Sequence, residues 1–181
     1  MRWLVCAVLC LLATMQYLLP ETASALIWQR GSLQQGQWWR LLTGHLVHLT
    51  PRHLLLNLSG LLLIGELWWG SLILSELLTM LLLCASGVSV LLWLLEPGLL
   101  WYAGLSGVLH GLWAGSAGAA WLQGGRWFSG LACGLLVIKL VWPAEAVAGM
   151  PVISAAHLYG ALCGLFWLAC RRLLQRSLVF V

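Results

Sequence analysis

Aspartate is absent from this chain of 181 residues, and charged side chains of every kind make up only 8% of it. The first absence excludes a Ser-His-Asp triad, and the glutamates lie toward the ends of apolar runs or between them. The second excludes a soluble domain of this length, in which roughly 25% of residues would carry charge. CxxC pairs are missing too. The six cysteines (Cys6, Cys10, Cys84, Cys133, Cys163 and Cys170) fall within apolar segments and read as small buried hydrophobes, not as a disulfide framework or metal site. The formal net charge of +4 comes from basic residues scattered at segment ends, with Arg171, Arg172 and Arg176 as the cluster. Such scatter is no nucleic-acid signal, so the partners expected are membrane lipid and membrane proteins.

What is present fits a polytopic membrane protein. The chain is 62% hydrophobic, with leucine runs, thirteen tryptophans and twenty glycines; Trp anchors bilayer interfaces and Gly permits close helix packing. Apolar segments at about 3–19, 52–69, 72–95, 103–122, 127–142 and 152–170 each approach the roughly 20 residues a bilayer requires. The fold class expected is all-α, a six-helix transmembrane bundle with residues 1–181 as one domain. The connection from Glu21 to Pro51 is the only long one. Its Trp28, Trp38, Trp39, Arg30 and Arg40 suit a partly helical interfacial segment. Arg2, an apolar run and Thr22-Ala23-Ser24-Ala25 also have the outline of a cleavable signal peptide; Pro20-Glu21 more simply ends a spanning helix, so retention is expected. Both termini are expected on the cytoplasmic side, where Arg2, Arg126, Arg171, Arg172 and Arg176 outnumber the outer basic residues slightly.

Spans two, four and six begin on the same side, and each carries polar groups soon after its start: His53 and Asn57, then Ser106, then His157. At 1.5 Å per residue, Asn57, Ser106 and His157 lie about 5–9 Å below one membrane face. Polar groups within a bilayer are costly and mark functional sites. A serine within reach of a histidine suggests nucleophilic catalysis, here by a dyad: His157 as base toward Ser106, then as acid toward the leaving amine. His53 and Asn57, one turn apart, and the Ser106 backbone N–H could supply oxyanion donors. Gly107, Gly111 and Gly115, facing Gly160 and Gly164, suit the close helix approach that a Ser–His bond demands.

These residues resemble the rhomboid intramembrane serine proteases, from Trp39-Arg40 through to Gly164. Trp39-Arg40 is similar to the family's first-loop Trp-Arg. His48, His53 and Asn57 resemble its second-helix motif. Gly104-Leu105-Ser106-Gly107 resembles the GxSG nucleophile motif, and Ala156-His157-x-x-Gly160-x-x-x-Gly164 the base motif. The resemblance implies a six-helix bundle with a water-filled cavity open to the outside. It implies catalysis by Ser106 and His157, oxyanion stabilisation by His53 and Asn57, and support from His48, Gly104, Gly107, His110 and Gly160. No metal and no cofactor are implied. Substrates would be single-span membrane proteins entering past span five, beneath a cap at about Pro143–Pro151 with Gly149 as hinge. Many rhomboids carry tyrosine four residues after the serine; this chain has His110. With the small size, that pattern resembles the rhombosortase branch of bacterial rhomboids. Membership would imply substrates with a C-terminal Gly-Gly-type tail, in the inner membrane with the site open to the periplasm.

Other readings are weaker. His45, His48 and His53 could suggest a metal site, but no carboxylate lies near and HExxH is absent, so His48 is expected to order its loop. Lys139 is expected to snorkel to the outer interface. Glu66 and Glu76 are expected to be structural or solvated, not a proton relay. A non-catalytic rhomboid-like protein that binds transmembrane clients is the rival function; a transporter would want mid-membrane ionisable groups or repeat symmetry.

Overall fold

In the computed structural model, residues 2–125, 127–142, 146–147 and 150–177 are described. Arg126 and the expected hinge Gly149 lie outside them, as do Pro143–Glu145 of the expected cap.

Among the described residues, six helices of 15 residues or more coincide with the six apolar segments: α1 (Arg2–Leu18), α2 (Pro51–Trp68), α3 (Leu74–Leu95), α4 (Ser106–Leu122), α5 (Trp127–Val141) and α6 (Ser154–Ser177). Local chemistry sets their ends. Thr50 starts α2 by accepting the His53 N–H at 3.2 Å, with Pro51 in the first turn, where its missing N–H costs nothing. Glu76 reaches back to accept the Ile73 N–H at 3.2 Å and so starts α3. At the far end of α3, the Arg30 guanidinium donates to the carbonyls of Leu92, Trp93, Glu96 and Leu99. A cation there satisfies orphan carbonyls and complements the helix dipole.

Helix α4 is the hub. From Gly107 to Ala119 every residue but Trp113 is buried, because α2, α3, α5 and α6 all pack on it. Its approach to α6 is the closest. A methyl group added at Gly160 would stand 1.8 Å from the Gly107 carbonyl oxygen, and one at Gly164 2.0 Å from that of Gly111. No side chain fits there, so the two backbones touch. Leu61, Met80, Cys84 and Leu112 fill the core around this contact. Opposite the site, Arg171 pairs with Glu76 at 2.6 Å, tying α6 to the start of α3.

The periphery is apolar: Leu4 and Leu11 of α1, Leu135 and Ile138 of α5, and Leu162 and Phe166 of α6 are all exposed. So extensive an apolar exterior suits lipid, not water. By length and composition alone, α3 is the one described helix able to cross a bilayer by itself. Helices α2, α4 and α6 carry His53, Asn57, Ser106 and His157 in their first two turns, which displaces apolar residues from one end of each.

The first connection is partly helical, as its sequence suggests, with short helices at Ala23–Leu26, Arg30–Gln34 and Arg40–Thr43. Buried Arg40 holds it together, donating to the carbonyls of Ser24 and Ile27 at 2.8 Å each. The Trp39 indole N–H donates to Ala25 at 3.1 Å. Strand β1 (Trp28–Gln29) pairs antiparallel with β2 (Trp101–Tyr102), which anchors this connection beside the start of α4. In the connection before α6, β3 (Ala146–Val147) pairs antiparallel with β4 (Met150–Pro151).

Candidate active site

Ser106 is the first residue of α4, and the turn that delivers it is clamped from two sides. Gly104 has φ +114°, and a side chain at that position would collide with the His53 ring at 2.5 Å. Only glycine meets both demands. The Tyr102 hydroxyl donates to the Gly104 carbonyl at 2.8 Å and accepts the Gly107 N–H at 3.3 Å. Burial pushes the Tyr102 phenol up to about 12, so it stays protonated and keeps donating. The Gly104 N–H donates to the Gly44 carbonyl at 3.1 Å, which ties the turn to the first connection.

The Ser106 hydroxyl lies 3.0 Å from His157 Nε2, within the range in which the hydroxyl donates its proton to the imidazole. Beneath His157 lies His110, its ring stacked at a centroid distance of 4.0 Å and an interplanar angle of 10°. His110 Nδ1 is 2.7 Å from the Ser106 carbonyl oxygen. A carbonyl only accepts, so Nδ1 carries the proton. His110 thus touches the base through its ring face and the nucleophile's backbone through its N–H. Its Nε2 is buried with no hydrogen-bond partner among the described residues.

The second group converges from α2 and the loop before it. His48 Nδ1 donates to the Leu46 carbonyl at 2.9 Å, which leaves Nε2 to accept from Asn57 Nδ2 at 3.0 Å. Burial pushes His48 down to about 4, so the ring is neutral at physiological pH and Nε2 remains an acceptor. One Asn57 N–H is thereby fixed, and the second is free to donate elsewhere. The His48 ring meets His53 edge-on at 4.9 Å between centroids, and its backbone N–H donates to Gln16 of α1 at 3.0 Å. His45 turns the other way: its Nε2–H faces the Ala85 carbonyl at 2.8 Å and Ser89 Oγ at 3.0 Å. Burial pushes it, too, down to about 4.

These groups line one cavity of ≈ 570 Å³, which brings together Ser106, His157, His110, His53 and Asn57. Gly107 and Gly160 stand behind it at the helix contact, and His48 supports it from one layer back. Two features go beyond the sequence expectation. Lys139 is exposed near the end of α5, and it also lines the cavity, because it continues the inward stripe of Ser129, Ala132 and Leu136. Tyr102 and Gly44 were not singled out by sequence at all. The only signal for Tyr102 is its place two residues before the glycine of GxSG.

Chemically, the arrangement holds a polarised serine hydroxyl at a helix N-terminus, where backbone N–H groups lack intrahelical acceptors. It adds a neutral side-chain amide and an imidazole on the facing helix. The Rhomboid domain profile matches residues 35–173. The chain is 32% identical over 157 residues to a protein named Rhomboid protease GlpG from Enterobacter sp. (strain 638), covering 78% of this chain and 51% of that relative. The chain thus spans about half the length of the curated relative it matches.

Proposed function

The chain belongs to the rhomboid family, a family of integral membrane proteins, and from that premise we propose that it is an intramembrane serine protease working through the Ser106–His157 dyad. The observation that carries the reading is the 3.0 Å contact between Ser106 Oγ and His157 Nε2, made inside a cavity within an apolar bundle. Ser106 Oγ attacks the scissile carbonyl while His157 Nε2 takes its proton. His157 then returns that proton to the leaving amine, and the acyl group stays on Ser106 as an ester. Water entering the cavity gives one proton to His157 as it attacks the ester; the acyl–Oγ bond breaks, His157 returns that proton to Ser106 Oγ, and the new carboxyl terminus is released. Developing negative charge on the carbonyl oxygen meets the Ser106 backbone N–H, the free Asn57 N–H and the His53 ring. His110 acts as a floor, fixing the plane of His157 relative to the serine it serves.

Substrates on this reading are single-span membrane proteins cut near the extracytoplasmic face, with both termini of the protease cytoplasmic and the cavity open to the periplasm. The His110 stack supports assignment to the rhombosortase branch, and with it removal of C-terminal Gly-Gly-type tails. The test is cleavage of a Gly-Gly-tailed single-span reporter by wild type, Ser106→Ala and His157→Ala. Processing by wild type alone supports both family activity and branch. Cleavage of a generic single-span substrate but not this reporter removes the branch. Absence of cleavage of either substrate by folded wild type would favour a non-catalytic protein that binds transmembrane clients.

A further inference from the structure

Among the described residues lining the cavity, Lys139 is the one with a formal charge, and it is also the chain's single lysine. It stands in the last turn of α5, at the level where α4 and α6 begin. It shares that cavity with His110, His157 and Ser106. Among the described residues it has neither an ion pair nor a hydrogen-bonding partner. Its neighbours on the inward stripe, Ala132 and Leu136, pack against the bundle. A lysine needed only for anchoring would gain more by facing lipid and snorkelling outward. This one instead borders a mostly apolar cavity, where no acidic side chain meets it among the described residues.

We propose that Lys139 is a specificity-determining residue that binds a carboxylate carried by the peptide occupying the cavity. The inference rests on the protease reading and deepens it. Two carboxylates can reach the position: an acidic side chain beside the scissile bond, or the carboxyl terminus that ester hydrolysis creates. An ion pair formed within this mostly apolar cavity is screened less than one in open water. Lys139 itself is exposed to the cavity, which keeps the expected gain to about tenfold in affinity.

The experiment measures binding to the Ser106→Ala protein in an uncharged, phospholipid-free detergent, so that turnover plays no part. The probes are fluorescent single-span peptides carrying Asp or Asn in the segment before the helix, and short product peptides ending in a free carboxylate or an amide. Tighter binding of the Asp peptide by about tenfold, lost in Lys139→Met and kept in Lys139→Arg, supports a substrate-reading subsite. The same pattern confined to the free-carboxylate product peptide supports a product subsite. Equal binding within both pairs, or a preference that survives Lys139→Met, overturns the proposal. A structural role alone would weaken all four probes alike. Cleavage of the Asn reporter by wild type, run in parallel, tests the protease reading separately: its failure alongside Lys139-dependent binding would remove the activity and leave the subsite.

Discussion

Replacing Gly160 with alanine should break the dyad without touching either of its members. The added methyl group would stand 1.8 Å from the Gly107 carbonyl oxygen, whereas real contacts of this kind do not fall below 3.0 Å. The obstacle is backbone on a close-packed helix, so α4 and α6 must separate by about 1.2 Å at this level. Gly107 follows Ser106 directly, and His157 lies three residues before Gly160 on the same face of α6. The separation therefore transfers almost whole to the Ser106–His157 contact, taking it from 3.0 Å to about 4 Å, beyond hydrogen-bond range. Misplacement by about 1 Å costs on the order of 100-fold in rate, and overpacking costs about 1–3 kcal/mol of stability. The assay is kcat/KM on a single-span reporter, with a thermal melt in detergent to show that the variant folds. Gly134→Ala is the control, since none of the described residues lies within 4 Å of a methyl group there. Gly160→Ala activity within threefold of wild type, with Gly134→Ala also unaffected, would refute the claim that this backbone contact sets the dyad distance.

His110→Phe keeps a ring beneath His157 but loses the N–H to the Ser106 carbonyl, a bond worth about 1 kcal/mol; kcat/KM should fall about fivefold, against a much larger loss in His110→Ala. Tyr102→Phe removes the donor that clamps the Gly104 carbonyl and should cost about 1–2 kcal/mol in a melt, with lower activity because the serine turn loosens. His45 and His48 take up protons near 6.5 when unfolded but only near 4 when folded. The unfolded chain therefore protonates first, so their contribution to stability is complete above pH 6.5 and is lost as pH falls toward 4. Each contributes a slope of up to about 1.4 kcal/mol per pH unit. Melts from pH 7.5 to 4.5 should show the decline, and His45→Asn with His48→Asn should make it shallower.

The long helices were legible because each follows from one local property, a run of apolar residues bounded by Pro, Gly or charge. The convergence of Ser106 and His157 was legible for a related reason: alternating helix direction places the starts of α2, α4 and α6 on one side. Tyr102 was not legible, because its role depends on the positive φ of Gly104 two residues later and on the Gly107 N–H. The pairing of Trp28–Gln29 with Trp101–Tyr102 leaves no local trace, since two-residue strands lack a period to read. That Lys139 borders the cavity was not legible, for a definable reason. A lysine near the end of an apolar run satisfies the snorkelling pattern on any face, and only the packing of Leu136 against Ala114 and Ala161 fixes which face turns inward.

The central claim is that Ser106 is a nucleophile activated by His157. Its most direct test is reaction of the folded protein with a fluorophosphonate, followed by mass-spectrometric mapping of the adduct. The account predicts a single adduct on Ser106 in wild type, lost in Ser106→Ala and strongly slowed in His157→Ala. An unmodified Ser106 in folded wild type, or labelling as fast without His157 as with it, would contradict it.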